Sequence, residues 1–276
     1  MRVAALALLL AVGTVPAAAQ EQRAPVPLDH LPALAGDYFH LPWPEQDRGF
    51  HIYVRLPADY GERPGHLYPI VYLLDGDSLF PILAANHLFL TYDEGLPEAI
   101  VVGIAYGGFG AVNRRGTDFT PPMPDGDPEG GGAPAFHAFL KERLLPQVER
   151  RYRADPARRI LVGQSLGGTF VLYSAFTDPH LFWNRIASNP AIERYRPHFY
   201  GRPDRGVRND TSLFVASGSR DRPDLRAEAL RWWASWRDRE DRPLTMRFET
   251  IEGGTHAANI TDAYRAGLLA AFGSDE

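Results

Sequence analysis

The stretch Arg159-Ile-Leu-Val-Gly-Gln-Ser-Leu-Gly-Gly168 decides the fold that we expect for this chain. Its short aliphatic run, 160–162, is typical of a strand buried inside a sheet. The residues that follow, over 168–175, predict a helix. Between the two, Gly163-Gln-Ser-Leu-Gly167 has the Gly-x-Ser-x-Gly spacing of a tight strand-to-helix turn. Such a turn makes the Ser165 hydroxyl project, with the first N–H groups of the helix beside it.

Apolar runs recur on both sides of this turn, and each one stops at glycine or at polar residues. They cover residues 68–74, 99–106, 212–216 and 244–251, after an opening pair of strands at 38–43 and 50–56. Predicted helices lie at 135–152, 223–239 and 260–271. Strands that are apolar throughout are buried on both faces, and their alternation with helices indicates parallel pairing. We therefore predict a single α/β domain with a mostly parallel central sheet and helices on both faces.

The composition limits the kinds of function that the chain can have. Its 276 residues are 45% hydrophobic, which is enough for a large core, and its formal net charge is −5. Proteins that bind nucleic acid usually carry an excess of positive charge, so we expect no nucleic-acid partner. The sequence has no cysteine, which excludes disulfides, a thiol nucleophile and thiolate metal sites.

The first residues have the layout of a secretory signal peptide. A positive charge at Arg2 is followed by an unbroken apolar run over 3–12, and Ala17-Ala-Ala19 provides the small residues of a cleavage site. The alternative, a membrane anchor, needs about 18 apolar residues, more than this run contains. We expect export to the periplasm or the medium, and no membrane span in the mature chain. The predicted divisions are a signal peptide over 1–19, an extended lead-in over 20–36 and a folded domain over 37–276.

A reactive serine needs a base, and three histidines follow Ser165 in the chain. His180 ends the helix that begins after Ser165, and His198 lies in an irregular stretch. His256 follows the last predicted strand, at the strand end where open α/β sheets build their active sites. We therefore predict that His256 is the base, with an exposed loop histidine as the alternative.

The acid that orients this histidine should follow the preceding predicted strand. Asp221 is the first acidic residue after the run at 212–216 and is the preferred candidate. Its role would be to accept the second imidazole N–H and so to fix the tautomer. Asp224 is the reserve, and a solvated loop with a Ser-His dyad stays open because four of residues 217–224 are charged.

The negative oxygen of a tetrahedral intermediate needs two backbone N–H donors. We assign one to Leu166, directly after the serine. The other should come from the loop after the run at 68–74, where Asp77 is the favoured donor and Gly76 permits the sharp bend.

Five motifs share their residues and spacing with one known family. They are Tyr68-Pro-Ile-Val-Tyr-Leu-Leu-Asp-Gly-Asp77, Val101-Val-Gly-Ile-Ala-Tyr106, Arg114-Arg-Gly-Thr-Asp-Phe-Thr-Pro121, Phe139-Leu-Lys-Glu-Arg-Leu-Leu-Pro146 and Gly163-Gln-Ser-Leu-Gly-Gly168. Over roughly residues 35–273 the chain resembles the putative esterase branch of the α/β-hydrolases, and its spacing is most similar to that of the siderophore-esterase-like members. The resemblance implies an α/β-hydrolase domain over 37–276 that hydrolyses carboxylic esters with a Ser/Asp/His triad and no cofactor. It also places the acid three residues after Gly218, at Asp221.

The loop after the run at 99–106 should lie at the same sheet edge as the serine. It brings Tyr106, Arg114 and Arg115 toward the expected substrate, where arginine could hold an anionic or catechol-like group. The alternative is that the arginines brace the loop through Asp118. We expect no metal site, because the acidic residues of the Pro/Gly-rich loop at 120–134 lack the spacing of a calcium-binding loop.

These observations predict an exported serine carboxylic-ester hydrolase. Its partner would be a small-molecule ester, of siderophore type or linked to carbohydrate. An acyltransferase with the same triad and a non-catalytic binding protein on the same fold are the alternatives. The sequence leaves the oligomeric state undecided.

Overall fold

The computed structural model describes residues 31–127, 129–201 and 209–273. The predicted signal peptide at 1–19 and most of the predicted lead-in at 20–36 lie outside these described residues. Within the described ranges, no helix combines the length and the apolar character needed to cross a membrane.

The described residues form eight strands that join in one sheet. The strands are β1 Gly36–Trp43, β2 Arg48–Arg55, β3 Tyr68–Leu73, β4 Ile100–Ala105, β5 Ala154–Gln164, β6 Asn184–Ser188, β7 Ser212–Arg220 and β8 Thr245–Thr255. Their order across the sheet is β1-β2-β4-β3-β5-β6-β7-β8. β2 pairs in antiparallel fashion with both β1 and β4, and every other neighbouring pair is parallel. The prediction of a mostly parallel α/β sheet is therefore confirmed.

Helices cover both faces of this sheet. They are α1 Gly76–Asp93, α2 Arg115–Asp118, α3 Ala133–Phe139, α4 Leu145–Arg151, α5 Leu166–Thr177, α6 Arg196–Phe199, α7 Pro223–Trp236 and α8 Ile260–Phe272. α1 and α8 pack on one face, where Leu83 and Tyr264 are fully buried. The other face carries α3, α4, α5 and α7, with Phe136 and Trp232 fully buried. The central strands lie between two cores, as their aliphatic runs predict.

β6 is a strand that the apolar pattern does not reveal. All five of its residues are buried, although Asn184, Arg185 and Ser188 are polar. The Arg185 guanidinium donates hydrogen bonds to the backbone carbonyls of Asp178 and Phe182. A polar sequence of this kind masks the aliphatic signal on which strand prediction depends.

The predicted helix over 135–152 is interrupted. A π-helical turn, Leu140–Leu144, joins α3 to α4, and Pro146 lies in the first turn of α4. Proline has no N–H to donate, and its ring crowds the carbonyl four residues earlier, that of Glu142. The wider π turn accommodates the proline without ending the helical path.

Candidate active site

The predicted turn at Ser165 joins the end of β5 to the start of α5. Ser165 has φ 57° and ψ −117°, a backbone conformation that L-residues seldom adopt. A Cβ atom at Gly163 would stand 2.3 Å from the carbonyl oxygen of Gly167, so a side chain does not fit there. The Ser165 N–H donates to the Ser188 carbonyl at 3.0 Å, which ties the turn to β6. The serine therefore projects from a bend that its neighbours hold in place.

Three predicted site residues meet at the carboxyl ends of the parallel strands. His256 Nε2 lies 3.0 Å from Ser165 Oγ, and His256 Nδ1 lies 2.7 Å from Asp221 Oδ1. Asp221 directly follows β7, and His256 directly follows β8. The Asp221 side chain is 1% exposed and that of His256 is 29% exposed, so the imidazole connects a buried carboxylate to a half-buried hydroxyl.

The reserve acid, Asp224, has a different partner. It lies in the first turn of α7, where its carboxylate pairs with Arg222 at 2.9 Å in an exposed position. The N–H of Arg222 donates to Asp221 Oδ1 at 2.7 Å and adds to the hydrogen bonds of that carboxylate. Of the two candidate acids, the structure brings Asp221 to His256.

These contacts define where the protons of a neutral His256 lie. An ionised carboxylate only accepts hydrogen bonds, so Nδ1 carries the proton that Asp221 accepts. Nε2 then has a free lone pair toward the Ser165 hydroxyl. The arrangement can remove the hydroxyl proton as the oxygen attacks an electrophilic carbon.

The two predicted oxyanion donors belong to the first turns of two helices. Leu166 is the first residue of α5 and Asp77 the second of α1, and N–H groups at these positions have no acceptor within their own helix. The Asp77 carboxylate accepts the N–H groups of Tyr106 at 2.7 Å and Gly107 at 2.8 Å, which fixes the start of α1 against the end of β4. Both helix starts also place partial positive charge at this edge.

A half-buried ion pair under the turn was missed by the sequence analysis. Arg115 donates to Asp75 through Nε at 2.7 Å and through Nη2 at 3.1 Å. The same Nη2 reaches the carbonyl of Gln164 at 3.3 Å. Burial raises the pKa of Asp75, although the Arg115 guanidinium opposes that rise. Arg115, which we predicted to contact substrate, is therefore occupied with Asp75 and the residue before Ser165.

Tyr106 and Arg114, the other predicted substrate contacts, lie in different environments. The Tyr106 side chain is buried, and its hydroxyl donates to Asp118 at 2.8 Å. Arg48, the first residue of β2, pairs with the other oxygen of Asp118 at 2.6 Å, in the place where the alternative expected Arg114 or Arg115. Arg114 is exposed and lines two adjoining cavities of about 540 and about 500 Å³. Leu166 lines the larger cavity, so this cavity lies beside the serine turn.

Two curated relatives share about a third of their residues with the aligned part of this chain. The ferri-bacillibactin esterase BesA of Bacillus subtilis is 35% identical over 178 residues, which cover 59% of this chain and 60% of BesA. The siderophore triacetylfusarinine C esterase of Aspergillus fumigatus is 32% identical over 189 residues, which cover 62% of this chain and 59% of that protein. The chain therefore spans about three fifths of the length of these relatives.

Solved structures match over a longer part of the chain. The BES protein of Bacillus cereus superposes with a TM-score of 0.70 and 25% identity, covering 84% of this chain and 92% of that one. The siderophore hydrolase EstB of Aspergillus nidulans superposes with a TM-score of 0.73 at the same coverage, and its identity of 24% supports a common fold alone. The α/β-hydrolase fold implied by the sequence motifs is thus confirmed.

A family model covers strands β2 to β7, the serine turn and the acid. The model of the putative esterase family matches residues 44–229, about two thirds of the chain. Ser165 and Asp221 lie within the matched residues, and His256 follows them. The chain belongs to the putative esterase family.

Proposed function

We propose that this chain is an exported serine esterase that hydrolyses carboxylic esters through an acyl-enzyme on Ser165. One observation carries the proposal: a continuous path of hydrogen bonds runs from Asp221 through His256 to Ser165 Oγ, with distances of 2.7 and 3.0 Å. Membership of an esterase family supports the reaction class.

The first half of the reaction acylates the serine. His256 Nε2 takes the proton of Ser165 Oγ while that oxygen attacks the ester carbonyl. The Asp221 carboxylate, which is hydrogen-bonded to His256 Nδ1, stabilises the imidazolium that forms. The carbonyl oxygen becomes negative and accepts hydrogen bonds from the N–H groups of Leu166 and Asp77. His256 then gives its proton to the departing alcohol, and the acyl group stays on Ser165.

The second half repeats the same proton transfers with water. His256 removes a proton from water, the hydroxide oxygen attacks the acyl carbon, and the tetrahedral intermediate again places its negative oxygen between Leu166 and Asp77. Its collapse releases the carboxylic acid and returns the proton to Ser165. Glycerol or a sugar in place of water would give acyl transfer, so product analysis with these acceptors separates the two activities.

We propose siderophore-type esters as the substrates, with carbohydrate-linked esters as the alternative. One of the two curated relatives is named as a ferri-bacillibactin esterase and the other as a siderophore triacetylfusarinine C esterase. Arg114 stands between the two cavities, and its exposed guanidinium can bind the anionic or catechol-like groups of such compounds. The combined space suits a bulky, polar ester better than a short acyl chain.

A substrate panel tests the reaction and the substrate class together. It would contain p-nitrophenyl esters of several chain lengths, feruloyl esters, acetylated sugars and tri-catechol lactones. We expect turnover of the lactones, and Ser165→Ala should lower kcat on every substrate by about 10⁵-fold or more. A fluorophosphonate probe should add one label to the native protein and none to the variant. Turnover near the native level in Ser165→Ala would contradict the mechanism.

Export has a separate test. The first 19 residues should be absent from protein recovered from the periplasm or the medium, and mass spectrometry of its amino terminus would detect the cut after Ala19. Full-length protein recovered only from the cytoplasm would contradict export without affecting the proposed chemistry.

A further inference from the structure

The backbone carbonyl of His256 is held by two side-chain amides. Asn189 Nδ2 donates to this oxygen at 2.9 Å, and Gln164 Nε2 donates to it as well. Asn189 Nδ2 also donates to the carbonyl of Thr255 at 3.0 Å. Gln164 ends β5 and Asn189 directly follows β6, so two central strands hold the histidine loop that follows β8.

The opposite atom of the Asn189 amide reaches the loop of the acid. Asn189 Oδ1 accepts the N–H of Gly218 at 2.8 Å. The Gly218 carbonyl in turn accepts the N–H of Asp221 at 3.1 Å, within one tight turn. One side chain therefore connects the end of β7 to the end of β8, which are the two places that supply the acid and the base.

The position suits asparagine for two physical reasons. Asn189 is 1% exposed and has φ 44°, a left-handed conformation that asparagine tolerates better than most residues. Its amide is a donor at one end and an acceptor at the other, as its three partners require. Aspartate has the same shape but would turn an oxygen toward the carbonyls of Thr255 and His256.

We infer that Asn189 is a positioning residue that sets the separation of Asp221 and His256 and so aligns the imidazole with Ser165 Oγ. The inference rests on the function proposed above. Asn189 contacts none of the atoms that react in that scheme, so its effect passes through His256. A misplacement of a reacting group by about 1 Å can cost about 100-fold in rate. Removal of the Asn189 amide should therefore lower kcat and leave KM close to the native value.

The test compares Asn189→Gly and Asn189→Asp with Asn184→Asp. Glycine accepts φ 44° and removes the amide, whereas aspartate keeps the shape and removes the donor. Asn184 is an equally buried asparagine at the other end of β6. Its amide contacts Ser212 and Gly267, both remote from the histidine loop, so Asn184→Asp reports the cost of a damaged strand alone.

We expect both Asn189 variants to lose between about 10-fold and about 100-fold in kcat and in the rate of fluorophosphonate labelling. Their pH profile of kcat/KM and the low-field N–H resonance of His256 should also move. Asn184→Asp should lower the melting temperature but keep the native pH profile and resonance. If Asn189→Asp does not fold, Asn189→Gly decides the matter.

The inference is overturned if Asn189→Gly turns over substrate at the native rate with the native pH profile. It is also overturned if the variant shows the same pattern as Asn184→Asp. Ser165→Ala separates this failure from a failure of the proposed function. An inactive Ser165→Ala beside a native-like Asn189→Gly would refute the positioning role alone, and an active Ser165→Ala would refute the triad.

Discussion

Asp221 and Asp224 are three positions apart, and their surroundings predict different responses to the same change. In Asp221→Asn an amide replaces the buried carboxylate beside His256, which favours the wrong imidazole tautomer, so kcat should fall about 10⁴-fold. Asp224→Asn removes an exposed partner of Arg222 and should keep native kinetics. Steady-state rates on one p-nitrophenyl ester measure both, and equal losses would contradict the assignment of the acid.

Ser165, His256 and Asp221 could be proposed from the sequence because each directly follows a recognisable strand. The carboxyl ends of parallel strands share one edge, so order along the chain was enough to group these side chains. The role of Arg115 could not be found in this way. Its partner Asp75 lies 40 residues earlier, after a different strand, and no local pattern links the two.

The Arg115–Asp75 pair gives a prediction about stability. Arg115→Gln leaves the largely buried Asp75 carboxylate without its cation, which should lower the free energy of unfolding by about 2 kcal/mol after allowance for partial exposure. Burial already raises the pKa of Asp75, and the loss of Arg115 should raise it further. Because the carboxyl is neutral at acidic pH, the loss of unfolding free energy in Arg115→Gln should shrink there.

Urea denaturation at neutral and at mildly acidic pH would measure this dependence. The double variant Arg115→Gln/Asp75→Asn is the control: it has no carboxyl at position 75 to take up a proton, so its loss of unfolding free energy relative to the native protein should not shrink on acidification. A deficit in Arg115→Gln that grows as the pH falls would contradict the argument.

The start of α1 is set by its contact with β4. A Cβ atom at Gly76 would lie 2.7 Å from the Ile104 nitrogen and 2.8 Å from the Gly103 carbonyl carbon, and neither backbone can move freely inside the sheet. Gly76→Ala should therefore shift the first turn of α1 and the Asp77 N–H with it. We expect kcat to fall about 100-fold, the effect of one lost oxyanion donor.

Gly61→Ala is the matched control for this change. A Cβ atom at Gly61 would meet nothing within 4 Å, so this variant should keep the native kcat and melting temperature. Native turnover in Gly76→Ala, measured beside it, would remove the β3–α1 turn from the proposed oxyanion site.

Strands were easier to predict than helices in this chain. Aliphatic runs identified β3, β4, β5 and β7, because strands buried on both faces need apolar side chains throughout. The helix α1 was not predicted, since its own apolar residues are spread around the whole helix and do not mark one face. Leu79 and Leu83 are buried, whereas Phe89 and Tyr92 are 61% and 75% exposed, so no single stripe marks the helix.

The fold as a whole should lose stability as the pH falls below neutral, in part through His87. Burial lowers the pKa of His87 from its ordinary value of 6.5 to about 4, and the Arg55 cation adds to this effect. Nδ1 lies 2.9 Å from the Tyr264 hydroxyl and Nε2 lies 3.2 Å from the Pro97 carbonyl, in the core between α1 and α8. Between pH 6.5 and pH 4 the unfolded chain therefore binds a proton that the folded chain does not.

This difference should remove about 3 kcal/mol of stability across that interval. Urea denaturation at several pH values would measure the slope in the native protein and in His87→Gln, which cannot take up the proton. The variant should be less stable at neutral pH and should lose less on acidification. Parallel slopes in the two proteins would show that His87 does not contribute to the acid sensitivity.

The larger cavity takes most of its lining from residues 111–127 and Glu129, whereas Ser165, Asp221 and His256 follow three other strands. Under the proposed function, substrate recognition and bond cleavage are therefore encoded mostly in separate parts of the gene. Exchange of this one segment with that of a relative, with Arg115 retained for its contacts to Asp75 and Gln164, should change the substrate preference and keep the proposed catalytic residues in place. Related enzymes can therefore acquire new substrates through changes in this one short segment.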